Sequence, residues 1–382
     1  MKVIVLGGDG FCGWPTALNL SHLQRHEVYI VDNLSRRNID NQLSSNSLTN
    51  IATIEDRVQV AGWNGMKLEY HNIDIAKEYD KFRQFVDYVR PDAIVHFAEQ
   101  RAAPYSMISD VERRYTVDNN ITGTHNVLNA IVDVDPNIHL VHLGTMGVYG
   151  YSKEFGDIPE GYLNVKINST EKDVDILYPT NPGSVYHMTK SLDQIMFQFY
   201  NKNWSLKITD LHQGIVWGTQ TRHTNIAPEL TNRFDYDGVY GTVLNRFISQ
   251  AATRNDITVY GTGGQQRAFI HIEDTAQCIR LAVENPPEDT KKVRIFNQVA
   301  EVHSVRDLAD KVAGLYRGLV SYVNNPRKEL AENELAVSNQ GLKSLGFEPI
   351  LLDDGLLDDV KFIAESMKEN LNKNNILSSP KW

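Results

Sequence analysis

The chain has 382 residues, 41% of them hydrophobic and 23% charged, with a formal net charge of −10. That length can bury a substantial core, and the acidic balance argues against a general nucleic-acid or anionic-membrane binder. Two cysteines, Cys12 and Cys278, suit a reducing compartment and exclude a disulfide framework or a cysteine-rich zinc site.

The first residues, Met1-Lys2-Val3-Ile4-Val5-Leu6, form an apolar run followed at once by glycines at 7, 10 and 13. This reads as a buried parallel strand turning tightly into a helix that continues through Ala17, Leu18 and Leu20, the arrangement that seats a dinucleotide pyrophosphate on helix N-terminal amides. A second strand, Glu27 to Val31, ends in Asp32, 19 residues after Gly13. A carboxylate there accepts the adenine ribose hydroxyls and repels a 2′-phosphate, which favours NAD over NADP, although Arg36 and Arg37 could support a phosphate instead. Residues 34 to 66 form an insertion rich in Ser and Asn, read as a helical flap.

Further strands are expected at Leu68 to Asp74, Asp92 to Phe97 and His139 to Leu143, with helices at Asn120 to Val132 and Ser184 to Tyr200. Strands alternating with helices predict a doubly wound parallel α/β sheet of Rossmann type. Ligands of such a sheet sit beyond the strands' carboxyl ends, where Asp32, Asp74, Ala98-Glu99-Gln100-Arg101 and Gly144-Thr145 converge. A polar excursion, Tyr151 to Pro182, follows. Residues 1–216 are assigned to the NAD-binding part and 217–382 mainly to a smaller substrate-binding lobe, with some segments returning to the sheet.

Tyr186 and Lys190 lie one turn apart on one helix face. A phenol ionises near pH 10 when free, and a neighbouring ammonium favours the phenolate. Alone the pair is weak evidence; behind the glycine loop and Thr145 it gains meaning. No metal is implied. His139 and His142 face opposite sides of one strand, and His22 and His26 read as solvent-facing helix residues.

The glycine loop, Thr145 at the fifth strand's end, and Tyr186 with Lys190 together resemble the extended short-chain dehydrogenase/reductase superfamily. The segments Glu99-Gln100-Arg101-Ala102-Ala103-Pro104, Thr145-Met146-Gly147, Tyr186-His187-Met188-Thr189-Lys190 and Phe296-Asn297-Gln298 narrow the likeness to its sulfite-using sugar-nucleotide synthases, which make the sulfolipid head-group donor. One departure is Val148, where plant members carry an acid. The resemblance implies a reaction on UDP-glucose and sulfite: NAD-dependent oxidation at C4, loss of water, sulfite addition at C6 and re-reduction of C4. It implies catalytic roles for Thr145, Tyr186, Lys190 and His187, the last as a proton relay or a cation attracting sulfite. Sugar dehydratases of the superfamily carry Thr-Asp-Glu where this chain has Thr145-Met146-Gly147, so the groups that perform elimination must lie elsewhere.

Cofactor contacts are expected from Gly7, Gly10, Phe11, Cys12, Gly13, Asp32, Asn33, Arg36, Asp74, Ile75, Asn119, Tyr186 and Lys190. Substrate contacts are expected from Glu99, Arg101, Thr145, Gln213, Thr242, Asn245, Arg246, Tyr260, Arg267 and Arg327, the arginines as clamps on the diphosphate. Relatives commonly dimerise through helices starting near Met107 and Ser184, which implies a homodimer. The immediate sulfur donor is either free sulfite or a sulfite-donor protein. Two other readings stay open: a UDP-glucose 4-epimerase, which shares the Tyr-Lys chemistry, and a non-catalytic NAD-binding scaffold. With no apolar run of about 18 residues and no leader before the first strand, the chain is expected to be soluble, cytoplasmic, or in the plastid stroma if a presequence was removed.

Overall fold

The computed structural model describes residues 1–150, 157–166, 173–327, 329–354 and 356–377. Elements run β1 (Lys2–Leu6), α1 (Gly13–Ser21), β2 (Glu27–Val31), α2 (Ser35–Leu43), α3 (Ile54–Trp63), β3 (Leu68–His71), α4 (Tyr79–Val89), β4 (Ala93–His96), α5 (Asp110–Val134), β5 (His139–Thr145), β6 (Tyr162–Lys166), β7 (Asp173–Leu177), α6 (Val185–Trp204), β8 (Ile208–Gln213) and β9 (Ile215–Trp217). There follow α7 (Val243–Ala252), β10 (Ile257–Tyr260), β11 (Gln266–His271), α8 (Ile272–Glu284), β12 (Arg294–Gln298), β13 (Glu301–Ser304), α9 (Val305–Tyr316) and β14 (Val320–Val323).

Seven parallel strands form the main sheet in the order β12-β8-β5-β4-β1-β2-β3. The doubly wound α/β architecture expected of the chain is therefore present. Alternation along β1 shows why both faces are covered: Val3 and Val5 enter the core beside α1 and α8, whereas Ile4 and Leu6 enter the one beside α4 and α5. A third core, with Trp217, Phe234, Phe247 and Leu308, underlies the C-terminal half. No described helix is long and apolar enough to cross a membrane.

Local chemistry moves several boundaries. β3 stops at His71 rather than reaching Asp74, because Asp74 Oδ1 accepts the Ala76 and Lys77 amides and starts a turn. α5 begins ten residues before Asn120, where the Ser109 hydroxyl accepts the Val111 amide as an N-cap. The insertion does contain helices, α2 and α3. Of the polar excursion 151–182, residues 151–156 and 167–172 lie outside the described residues; β6 and β7, on either side of the second of these segments, pair antiparallel. His22 and His26 are not solvent-facing helix partners. His22 follows α1 and rests against the His223 ring, while His26 is buried just before β2 with Nε2 3.2 Å from Glu284.

Candidate active site

A cavity of about 980 Å³ lies beyond the carboxyl ends of the sheet strands. The glycine loop forms one wall. Gly7 has φ +78°, and a Cβ on Gly13 would stand 2.1 Å from the Gly7 carbonyl oxygen, so neither position tolerates a side chain. Asp9, within the loop, is buried and receives Arg37 Nε at 2.7 Å, Arg37 Nη2 at 2.8 Å and Arg57 Nη1 at 2.6 Å. Both arginines come from the insertion, which thus braces the loop.

Asp32 accepts the Asp9 amide at 3.0 Å and the Leu34 amide at 2.7 Å. Burial, followed by the Asp9 charge, pushes its carboxyl up to about 6. Arg36 pairs with Asp40 and Asp235 and stacks 3.7 Å over the Tyr240 ring, while Arg37 is held by Asp9. Neither is left to serve a 2′-phosphate, which agrees with the preference read from Asp32. Gly7, Gly10, Phe11, Cys12, Gly13, Asp32, Asn33, Arg36, Asp74, Ile75 and Asn119 all line the cavity. A close-approach glycine loop with an acid at the end of β2 fits a dinucleotide.

At the cavity floor α6 begins. Its N-cap Ser184 accepts the His187 amide at 3.2 Å, and the same hydroxyl lies 3.1 Å from His187 Nδ1. A Cβ on Gly147 would fall 2.2 Å from His187 Cδ2 and 2.3 Å from its Nε2. The imidazole thus fills the space that a side chain at 147 would claim. Burial, with Arg327 and Arg267 nearby, pushes His187 down to about 3, so the ring is neutral near pH 7. This corrects the expectation of a cationic His187; positive charge at this end comes from the arginines.

Tyr186 hydrogen-bonds Thr145 through its side chain. Burial raises the phenol to about 12, outweighing the opposite pull of Lys190. Burial thus overrides the lowering expected from Lys190 alone. Lys190 Nζ sits 2.6 Å from Glu99 Oε2, 3.0 Å from His142 Nε2 and donates to Leu143 O at 2.7 Å. Burial disfavours its charge, but Glu99 more than compensates, and its pKa is raised. Glu99, with Oε1 3.0 Å from His142 Nε2, is therefore a partner of the lysine rather than a free sugar ligand, though it remains at the cavity wall. Glu99, His142 and Asp193 present ligand atoms within 4.8 Å of one another, a spacing that suits a cation; the Lys190 ammonium already supplies one.

Around the far wall stand Arg101, Gln213, Thr242, Arg246, Tyr260, Arg267 and Arg327. Arg101 pairs with Asp235 at 2.7 Å and lies over Phe11 and Tyr240. Arg246 Nη2 donates to the Tyr260 hydroxyl at 2.9 Å, and Arg267 pairs with Glu329. Gln213 Nε2 donates to Thr275 at 3.1 Å. Asn245 is the exception: it is buried in α7, off the cavity wall, with Nδ2 donating to Asp235 O at 3.3 Å. Asn119 reaches the cavity, but its neighbour Asn120 does the bracing, bonding Gln100 through its amide and carbonyl and Thr189 Oγ1. Sequence reasoning missed Asn120, His142, Asp193 and Asp210. The available signal was polar residues in otherwise apolar strands and helix faces.

The model of the NAD dependent epimerase/dehydratase family matches residues 3–297. The chloroplastic UDP-sulfoquinovose synthase of Spinacia oleracea is 44% identical over 387 aligned residues, covering 100% of this chain and 79% of that protein. The UDP-sulfoquinovose synthase of Sulfolobus acidocaldarius is 40% identical, covering 100% of this chain and 98% of the relative. Among solved structures, UDP-glucose 4-epimerase of Thermotoga maritima with UDP-glucose has a TM-score of 0.71 at 19% identity, covering 97% of this chain and 100% of that one. Another, the Thermus thermophilus UDP-glucose 4-epimerase in complex with NAD, has a TM-score of 0.64 at 20% identity, with 97% and 100% covered. At such identities the structures share the fold.

Proposed function

Because this chain belongs to the NAD dependent epimerase/dehydratase family and, within it, to the UDP-sulfoquinovose synthases, we infer that it makes UDP-sulfoquinovose from UDP-glucose and sulfite. The observation that carries the reading is the replacement of an acidic pair by Met146 and Gly147, with His187 filling the vacated volume beside Tyr186.

NAD, which the glycine loop, Asp32 and Lys190 would hold, would supply the acceptor and donor of hydride at C4. The residues of the chain do the rest. Tyr186, as phenolate, takes the C4 hydroxyl proton, and Thr145 orients the C4 oxygen. Lys190 places a fixed positive charge one helical turn away and favours the ionised phenol. With a ketone at C4, the C5 proton becomes acidic because the carbanion delocalises into the carbonyl. His187 is neutral and held through Nδ1 by Ser184, so its Nε2 is the group to move a proton between C5 and the departing C6 hydroxyl. Loss of water leaves an enone, and the sulfur lone pair of sulfite attacks C6. Arg267 and Arg327 draw the anions in, and Arg246 joins them on the diphosphate.

We assign residues 1–216 mainly to the cofactor and the region from 217 mainly to the sugar nucleotide. A homodimer is proposed through α6, whose Met188, Leu192, Ile195 and Phe199 expose an apolar stripe at helical spacing, 38%, 38%, 58% and 55% accessible. Sedimentation or light scattering tests it: a monomer at micromolar concentration rejects the dimer.

Incubation with UDP-glucose, with and without sulfite, followed by mass analysis of the nucleotide sugar, tests the activity. A sulfonated product only when sulfite is present supports it. UDP-galactose formed without sulfite dependence would instead select an epimerase.

A further inference from the structure

Behind Lys190 lies a buried chain of ionisable groups that the reaction above does not use. The register of the sheet builds it: His96 on β4, His142 on β5 and Asp210 on β8 are paired across neighbouring parallel strands, so their side chains project to one face. His142 Nδ1 lies 2.8 Å from Asp210 Oδ1, and its Nε2 lies 3.0 Å from both Glu99 Oε1 and Lys190 Nζ. Asp210 Oδ2 lies 2.9 Å from His212 Nε2, and His212 Nδ1 lies 2.6 Å from the Tyr149 hydroxyl. All of these groups are closed off from solvent apart from the edge of Glu99 and Lys190 that faces the cavity.

His142 Nε2 can make one hydrogen bond at a time. A neutral ring, with its proton on Nδ1 toward Asp210, accepts a proton of the Lys190 ammonium. A protonated ring donates to Glu99 instead. Both arrangements satisfy the geometry, and they differ only in where one proton sits.

We propose that His142 is a positioning residue for the ionisation of Tyr186: set between Glu99 and Asp210 and against Lys190 Nζ, it governs how the Lys190 ammonium is held and how much positive charge stands behind the phenol, so the charge states of Tyr186, Lys190 and His142 are coupled. The idea rests on Tyr186 being the base. A protonated His142 that donates to Glu99 adds a second positive charge beside the Lys190 ammonium, and both charges favour the phenolate; a neutral ring that accepts from Lys190 leaves one.

The surroundings hold these charges in place. Glu99 and Asp210 are both held as carboxylates, Glu99 by Lys190 and His142, Asp210 by His212 and His142, each against the cost of burial. They flank His142 on its two nitrogens. Although burial and Lys190 press His142 down, Asp210 and Glu99 carry it up to about 9. Asp193, 3.7 Å from His142 Nε2 on the α6 side, has its pKa raised well above the ordinary range by burial and by Glu99, so it stays protonated and adds no competing charge. His96, 3.6 Å from Glu99 and 5.6 Å ring-to-ring from His142, is pushed by burial down to about 3 and stays neutral. His212 and Tyr149 lie one bond further along the chain. While Tyr186 is an intact phenol, the two carboxylates, the ammonium and the imidazolium balance, which is the condition a low-dielectric interior rewards.

The test needs no sugar and so fails separately from the substrate assignment. NAD-loaded protein is titrated from pH 5 to 11 while the ultraviolet phenolate band is followed, with Tyr186→Phe subtracted to isolate the one phenol. His142→Gln should move the Tyr186 ionisation upward by at least one pH unit, tenfold in phenolate at a given pH. In turnover with UDP-glucose and sulfite, the acid limb of kcat should shift the same way with KM unchanged. Asp210→Asn, which keeps the shape and removes the charge behind the ring, should shift both limbs in the same direction and decides the matter if His142→Gln does not fold. Variants that fold, bind NAD and leave the Tyr186 titration unmoved would overturn the proposal.

Discussion

Gly147→Ala offers a sharp test of the chemistry assigned to His187. The added methyl carbon would lie 2.2 Å from His187 Cδ2 and 2.3 Å from Nε2, where ordinary contact begins near 3.4 Å, so the ring must retreat by about 1.2 Å. It cannot do so freely, because Ser184 holds Nδ1 at 3.1 Å and Tyr186 crowds it at a ring separation of 5.2 Å. Overpacking of this kind costs about 1–3 kcal/mol of stability, and a reacting group displaced by about 1 Å loses on the order of 100-fold in rate. Formation of the sulfonated sugar should therefore fall about 100-fold. Reduction of bound NAD by UDP-glucose, read from its absorbance, should change less than about threefold, since Tyr186, Thr145 and Lys190 keep their places. A double-mutant cycle sharpens the point: in a His187→Ala background the space is open, and Gly147→Ala should then cost little further activity. Equal losses in both backgrounds, or a fully active single variant, would refute the steric argument.

Tyr186→Phe should reduce turnover by at least about 1,000-fold while NAD remains bound on gel filtration, because only the ionisable hydroxyl is lost. Arg267→Ala should raise the KM for UDP-glucose by about 10- to 100-fold with kcat within a few-fold, as expected for a charge-assisted contact of about 1.5–3 kcal/mol made equally in ground and transition states. Asp274 in α8 gives a pH prediction. Burial raises its carboxyl to about 7, and Oδ2 accepts the Ile350 amide at 2.8 Å. The folded state therefore holds a proton that the unfolded state has lost, and stability declines as pH rises from about 4 to 7, by no more than about 4 kcal/mol. Asp274→Asn still accepts the Ile350 amide and should flatten that decline, making the variant the more stable form at pH 8 and not at pH 4 in urea unfolding. A wild-type stability that is level across this window would contradict the assignment.

Much of the sheet was legible because it obeys local rules. The run Val3 to Leu6, the glycines after it and Asp32 form a unit whose parts are neighbours in sequence. Helix-period spacing brought Tyr186 and Lys190 together for the same reason. Boundaries slipped where a side chain competed with the backbone, as Asp74 does at the end of β3 and Ser109 at the start of α5. Asn245 misled because a polar residue near the sugar side of α7 looks like a ligand, whereas its amide is spent on Asp235 O. His142 was read only as a failed metal partner of His139. Its real partner is Asp210, 68 residues away, and only the pairing of β5 with β8 puts the two side by side. Register between distant strands is a tertiary fact that no window along the chain contains.

The same register explains why so many charges can be buried behind one catalytic lysine. An isolated ammonium in that position would pay a desolvation cost of several kcal/mol. Glu99 at 2.6 Å offsets it, but Glu99 itself then needs support on its other oxygen, which His142 and the Thr124 hydroxyl provide at 3.0 and 3.2 Å. His142 in turn requires Asp210 on its second nitrogen, and Asp210 is completed by His212. The His142–Asp210 link exists because β5 and β8 pair at that level, while His212 completes Asp210 from two residues along the same strand. A metal ion could satisfy Glu99, His142 and Asp193 equally well, but it would be exchangeable and free to shift relative to the phenol. A lysine on the helix that carries Tyr186 fixes the cation one turn from the oxygen whose charge it must balance. The network beneath it is therefore the cost of keeping that cation in place, and it makes the charge state of the base a property of three strands and a helix rather than of two residues.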